Sequence, residues 1–436
     1  MKVPVKAFSV SVAAAFAVIA CGKEAPPPPP PAAPAPPPPL VVNIGHAAPL
    51  TGPQAHLGKD NENGAVLAIE DANAQHLKFG GRDVTFKLTS EDDQADPKQG
   101  TLVAQKFVDA KVNAVVGHLN SGTTIPASKI YNDAGIPEVS PSATNPTYTH
   151  QGFKTAFRVM ANDEQQGKIL GEFAVKQGVK NVAIIDDRTA YGQGLADEFK
   201  KAAEAAGLKV VATEYTNDKA TDFKAILTKI KSKKPDLVFY GGMDAQGGPM
   251  VKQMKELGVK AKFLGGDGVC TPEFMKLGGA AADGNFCSLP GMPLEKLAKG
   301  PAFQEKFKAK FNADIQLYAP YVYDAVMVMA DAMKRANSVD PTKFLGEIGK
   351  TSYDGVTAKI EFDEKGDLKG GAISIYKYNA GKLDYVDTLG GAPAPAPAAE
   401  AKPEGMAGMA AAPAPAAAPA PAAAAPAAPA APAEKK

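Results

Sequence analysis

Residues 40–390 read as two doubly wound α/β lobes, each a mostly parallel sheet flanked by helices. Short β-rich runs alternate with amphipathic stretches at the spacing of strand–crossover–strand units. The series runs once to about residue 161 and then restarts. The whole stretch is also longer than one hydrophobic core usually spans.

In the first series, strand-like residues 41–44 precede a helical pattern over 57–74. Strand 83–88 precedes helix 99–109, strand 113–116 precedes helix 124–133, and strand 136–139 follows. The second series opens with helix 164–176. It continues with strand 181–186, helix 192–206, strand 208–215, helix 223–231, strand 236–240, helix 248–257 and strand 262–264.

The two ends lie outside this pattern. Residues 1–20 carry Lys2 and Lys6 before an apolar run too short to span a bilayer, which suits a signal peptide. The run Val18-Ile19-Ala20-Cys21-Gly22 resembles a bacterial lipobox, with Val18 where Leu is usual, so Cys21 is the expected lipidation site. The alternative is an ordinary cleaved signal with an incidental cysteine. Residues 21–39 form a Pro/Ala tether; in polyproline II geometry 26–39 would reach about 40 Å. Residues 391–436 repeat Ala and Pro with almost no bulky apolar side chains, a composition expected to be disordered.

Composition removes several functions. Forty-eight basic against 47 acidic residues leave no whole-chain case for nucleic acid or an acidic membrane surface. Five histidines and three cysteines offer little for a metal site, and none is expected. No Gly-x-Gly-x-x-Gly follows a strand and no phosphate-binding Gly-x-x-x-x-Gly-Lys-Ser/Thr exists, so nucleotide cofactors lose their main support; no cofactor is expected. The run Asp363-Glu364-Lys365-Gly366-Asp367 resembles a calcium loop only superficially and reads as a hairpin turn.

Sheets of this kind bind ligands beyond the carboxyl ends of their strands. The clearest such end is Val115-Val116-Gly117-His118-Leu119-Asn120-Ser121-Gly122-Thr123-Thr124, which opens a helix near Thr123. Helix N-termini carry unpaired N–H groups that hold a carboxylate without Lys or Arg. Equally, Ser121 or Thr123 could simply cap the helix. A second hydroxyl-rich turn is Val139-Ser140-Pro141-Ser142-Ala143-Thr144-Asn145-Pro146, able to donate to a carboxylate and accept from an ammonium, or to be merely a proline-fixed loop. The second lobe offers Tyr191-Gly192-Gln193-Gly194, Gly241-Gly242-Met243-Asp244 and Gly265-Gly266-Asp267-Gly268. Asp267 could pair with a ligand amine or be a solvated turn residue. His118 and Ser121 lack a Gly-x-Ser-x-Gly context and an orienting acid in their segment, so hydrolysis is not expected. The chain is read as a binding protein and not an enzyme.

These residues bring the sequence to a recognisable pattern. Pro49-Leu50-Thr51-Gly52-Pro53, Asn63-Gly64-Ala65, Asp96-Pro97-Lys98-Gln99 and Val116-Gly117-His118-Leu119 stand in order. Pro126-Ala127-Ser128, Ser140 through Pro146, Tyr191-Gly192-Gln193-Gly194 and Asp363 through Gly370 follow. Over nearly all of 40–380 the chain resembles the leucine/isoleucine/valine-binding family of periplasmic solute-binding proteins, which serve ATP-driven importers. The resemblance implies the type I periplasmic binding fold: two lobes joined by three crossings that close on ligand as a hinged clamp. By position, lobe one would be 40–162 plus 291–371, and lobe two 163–290 plus 372–390. It implies that the Ser121 hydroxyl, the Ser142 carbonyl, Ala143 beside it, and the backbone and hydroxyl of Thr144 hold the α-carboxylate and ammonium. Tyr191 and Asp267, the latter where the family usually has Glu, would meet the ligand on closure. Leu57 and Met243 replace aromatic lining positions, which alters the side-chain pocket; branched-chain amino acids lead among the expected ligands.

The implied setting is the bacterial periplasm or cell envelope, with permease and ATPase subunits as partners, membrane attachment through lipid only, and a monomeric chain. A sensor of the same fold feeding a regulator, or an envelope scaffold whose tail does the main work, remain alternatives. Cys270 and Cys287, the cysteines that follow Cys21, are expected to form a disulfide in an exported protein, with two free thiols as the other possibility.

Overall fold

The computed structural model describes residues 37–391. The expected signal peptide, Cys21 and nearly all of the tether and tail lie outside them; of the tether, 37–39 are exposed and irregular. Two main sheets form. The first has six strands in the order Lys78–Phe79, Arg82–Asp92, Leu40–Ala48, Ala114–Gly117, Glu138–Ser140 and Ala156–Arg158. The second has seven, in the order Lys382–Gly390, Ala372–Asn379, Phe286–Pro290, Lys262–Gly265, Leu237–Gly241, Asn181–Asp186 and Lys209–Tyr215.

The inner strands pair in parallel, as the strand–helix alternation requires. The edges do not. Lys78–Phe79 pairs antiparallel with Arg82–Asp92, and the last two strands of the second sheet add antiparallel to Phe286–Pro290. Helices from the late part of the chain return to the first sheet. Gly300–Phe311 and Ala319–Ala336 pack on Ala55–Ala74, and Pro341–Ile348 packs on Ala319–Ala336. The chain therefore crosses between sheets three times: after Arg158, after Pro290, and just before Ala372.

Period-two alternation explains why both faces of each sheet are covered. In the second sheet Val182, Ile184, Leu237, Phe239 and Leu264 enter one apolar cluster, while Ala183, Ile185, Val238, Tyr240 and Phe263 enter another. The first sheet divides likewise, with Val42, Ile44, Ala114 and Val116 on one side and Ala47 and Val115 on the other. Cys270 and Cys287 are bonded within the second lobe's cluster, with their Cα atoms 5.3 Å apart. Asp363–Asp367 forms a tight turn closed by the Phe362–Leu368 bridge, and it carries more than a turn: Asp367 is buried against Arg158.

Candidate functional site

The carboxyl ends of both sheets face one another, and their turns carry the residues singled out from the sequence. Helix Ser121–Ala134 starts at Ser121, two residues earlier than expected, with Asn120 as its N-cap. Asn120 makes no side-chain cap bond, and Thr123 donates its hydroxyl to the Asn120 carbonyl at 2.9 Å. Ser121, buried at the first position, is thus left for another task. Its Oγ accepts from the Asn145 N–H at 3.2 Å, which leaves the Ser121 hydroxyl hydrogen to donate elsewhere.

The turn after Glu138–Ser140 is oriented peptide by peptide. In a trans peptide the N–H and the preceding C=O point in opposite directions. The Ala143 N–H donates to Ser140 Oγ at 3.0 Å, so the Ser142 carbonyl is turned away from the strand end. The Thr144 carbonyl accepts from the Asp163 N–H at 2.9 Å, which turns the Asn145 N–H to Ser121. Ser142 Oγ and Thr144 Oγ1 are buried without a protein partner.

Asp267 is buried and not solvated. The Tyr318 hydroxyl donates to its Oδ2 at 2.7 Å, while the Tyr191 hydroxyl at 3.0 Å and Gln166 Nε2 at 3.2 Å donate to Oδ1. Tyr191 O in turn accepts the Gly268 N–H at 2.9 Å. A Cβ at Gly268 would stand 2.7 Å from Met243 Sδ and 2.8 Å from Tyr191 Cε1, so only glycine allows this approach. Burial pushes the Asp267 carboxyl above the usual carboxylate range, against the pull of these three hydrogen bonds. Leu57 and Met243 are buried in one apolar cluster with Tyr191, Leu195 and Tyr318.

Polar groups also join the lobes. Asn145 Nδ2 donates to the Ala190 carbonyl at 2.6 Å, Tyr318 reaches Asp267 as above, and His56 Nε2 donates to Asp244 Oδ2 at 2.8 Å. Asp244 is buried and also accepts the Thr271 hydroxyl at 2.6 Å. Burial works against charge on His56, but the Asp244 carboxylate outweighs it and raises the imidazole pKa.

His118 does have an orienting acid, from outside its segment. Asp93 Oδ2 lies 2.8 Å from Nδ1. The other ring nitrogen meets the Tyr131 hydroxyl at 3.0 Å, so His118 is not a base for Ser121. Among the described residues no group of three His, Cys, Asp or Glu is placed to hold a metal.

Sequence reasoning missed Tyr318, Gln166, Asp163 and Asn145. Tyr318 is held by Asp60, whose carboxylate accepts four successive backbone N–H groups from Gln316 to Ala319 at 2.7–3.0 Å. An acid on the buried stripe of helix Ala55–Ala74 was the available signal. Gln166 lies next to a capping box that joins Asn162 and Gln165 at the start of helix Asp163–Lys176. Asp163 opens that helix; burial pushes its carboxyl well above the usual range, against the opposing pull of the nearby Thr144 hydroxyl.

The periplasmic binding protein family profile matches residues 41–382. A leucine-, isoleucine-, valine-, threonine- and alanine-binding protein of Pseudomonas aeruginosa is 36% identical over 78% of this chain and 90% of its own length. Leu/Ile/Val-binding protein homolog 1 of Brucella abortus is 37% identical over 79% of this chain and 93% of its own. Among solved structures, a leucine-binding protein of Thermotoga maritima superposes with a TM-score of 0.74 at 28% identity, covering 80% of this chain and 98% of that one. A branched-chain amino acid transporter substrate-binding protein of Streptococcus pneumoniae, in complex with isoleucine, gives 0.73 at 28% identity, covering 80% and 99%. With two doubly wound sheets, three crossings and ligand-side turns of this kind, the chain belongs to the periplasmic binding protein family.

Proposed function

We propose that this chain is the extracytoplasmic substrate-binding component of an ABC importer, capturing an α-amino acid, branched-chain first, between its two lobes. A zwitterion needs donors for its carboxylate and acceptors for its ammonium about one Cα apart. The Ser121 hydroxyl, the Thr144 N–H and hydroxyl and the start of helix Ser121–Ala134 are assigned as donors. The Ser142 carbonyl and Asp267 are assigned as acceptors, with Ala143 lying along the ligand backbone and Tyr191 covering it. Leu57 and Met243 line the side-chain end. The observation that carries the reading is that one lobe has buried hydroxyls on oriented turns and the other a buried carboxylate, both at the carboxyl ends of their sheets. The ligands named for the relatives support the same class.

The lobes are assigned as 40–162 plus 291–371 and 163–290 plus 372–390, closing about the three crossings. The chain acts as a monomer that binds without turnover and delivers ligand to permease and ATPase subunits. Cys21 is assigned as its lipid anchor, with the Pro/Ala tether as a stand-off; Cys21→Ser abolishes lipid labelling, and unaltered detergent partitioning would reject the anchor. The direct test of function is a thermal-shift screen of the twenty amino acids. Leucine, isoleucine or valine gives the largest rise in midpoint; no rise with any amino acid would reject the reading.

A further inference from the structure

Arg158 ends the last strand of the first sheet, at the first crossing, and is wholly buried. Its Nη1 donates to the carbonyls of Ala143 at 2.8 Å and Asn145 at 2.9 Å. Its Nη2 donates to Thr149 Oγ1 at 2.9 Å and to Asp367 Oδ1, and its Nε donates to the same carboxylate oxygen at 3.0 Å. Asp367 stands shortly before the third crossing and accepts from Thr149 Oγ1 at 2.8 Å and from Asn162 Nδ2, in the first crossing, at 3.2 Å. One guanidinium therefore joins the turn at Ser142–Asn145 to two of the segments about which the lobes hinge. Its planar fork suits this, since it satisfies two carbonyls on one side and a carboxylate on the other.

The bond to Ala143 has a directional consequence. The Ala143 carbonyl and the Thr144 N–H belong to one peptide plane and point in opposite directions. Holding the carbonyl toward Arg158 turns the Thr144 N–H away from it. That N–H is the donor assigned above to the ligand carboxylate. We infer that Arg158 is a positioning residue for carboxylate recognition, aiming the Thr144 N–H by holding the Ala143 carbonyl and fixing that aim to the crossings through Asp367. The inference rests on the amino-acid reading and extends it to a residue that touches no ligand.

The test separates aim from mere folding. Binding of leucine and of leucinamide, which lacks the carboxylate charge, is measured by calorimetry on the purified chain and on Arg158→Lys, Arg158→Met and Asp367→Asn. Folding of each is checked by circular dichroism. Lys keeps the charge but cannot fork, so Arg158→Lys weakens leucine about tenfold or more, the scale of one charge-assisted hydrogen bond. Leucinamide changes by less than about twofold, so the preference for leucine collapses. Asp367→Asn leaves Arg158 with its carbonyls but removes the charged anchor, and it shows the same selective loss at smaller size; it carries the test if the Arg158 variants do not fold. Equal loss for both ligands in the folded variants, or no loss for either, would overturn the inference. If the unaltered chain binds neither compound, the amino-acid reading itself fails, and the inference falls with it.

Discussion

Asp267 shows how a residue that looks like a turn acid becomes a buried, oriented carboxylate, the group proposed to meet the ligand ammonium. Alone in Gly-Gly-Asp-Gly it is indistinguishable from a solvated carboxylate, but folding surrounds it with Tyr191, Gln166 and Tyr318 as donors. Those three bonds use up most of a carboxylate's acceptor capacity and hold it in one orientation, leaving room for one further donor. Asp267→Ala removes the counter-charge for a buried ammonium and costs about 2–5 kcal/mol, at least roughly 30-fold in amino-acid affinity, read by calorimetry. Unchanged affinity would return Asp267 to a structural role. Because burial raises its pKa in the absence of a cation, an ammonium must draw it to the charged form. Its contribution to binding is present above that raised pKa and lost as pH falls through it. Met243 is proposed to line the other end of the ligand. Met243→Ala opens apolar space beside Gly268 and shifts preference toward larger side chains by about 1–3 kcal/mol, measured as a ratio of affinities across leucine, valine and phenylalanine. The requirement for a free amine and carboxylate stays; its loss would mean that Met243 does more than line the pocket.

Among elements, legibility followed the range of the interactions. The inner strands were readable because both faces are buried and each ends in a glycine or hydroxyl turn; Asn181–Asp186 came out with its bounds intact. Helix starts were placed within a few residues, since caps such as Thr189 and the Asn162–Gln165 box act over three or four positions. What escaped was long-range. The antiparallel edges are set by strands that return from the end of the chain, and Tyr318 is set by Asp60, 258 positions away. The two first-lobe turns assigned to the ligand were visible as hydroxyl clusters, but the direction of each peptide was not. That direction depends on Ser140, Asp163 and Arg158, which announce nothing at the sequence level. At this scale the bond between Cys270 and Cys287, closing a loop of 17 positions, contributes about 3 kcal/mol on the chain-entropy account. The double variant Cys270→Ser/Cys287→Ser lowers the unfolding free energy in urea by that amount, with ligand affinity nearly unchanged at temperatures where the fold persists. An unaltered urea midpoint would show that the link adds no stability.

At the scale of the whole molecule, polar contacts join the lobes beside an apolar cluster that both share. His56 and Asp244 form one of them, with Glu273 adding a further negative charge near the imidazole. The pairing raises the His56 pKa above its ordinary value, so its contribution to lobe contact is fully present below about 6.5 and is lost as pH rises through the raised value. His56 is partly exposed, so solvent screening keeps the effect to about twofold to fivefold in ligand affinity between pH 6 and pH 8. His56→Ala removes this alkaline decline; a variant that keeps the decline would place its origin elsewhere.

The central claim is that the two lobes recognise both charged ends of a free α-amino acid. Calorimetry with leucine and with N-acetyl-leucine on the same preparation tests it most directly, because acetylation removes the ammonium and leaves the carboxylate and side chain in place. Leucine binds with a dissociation constant near micromolar, about −8 kcal/mol, and N-acetyl-leucine binds at least roughly 30-fold more weakly. Equal binding of the two would contradict the account.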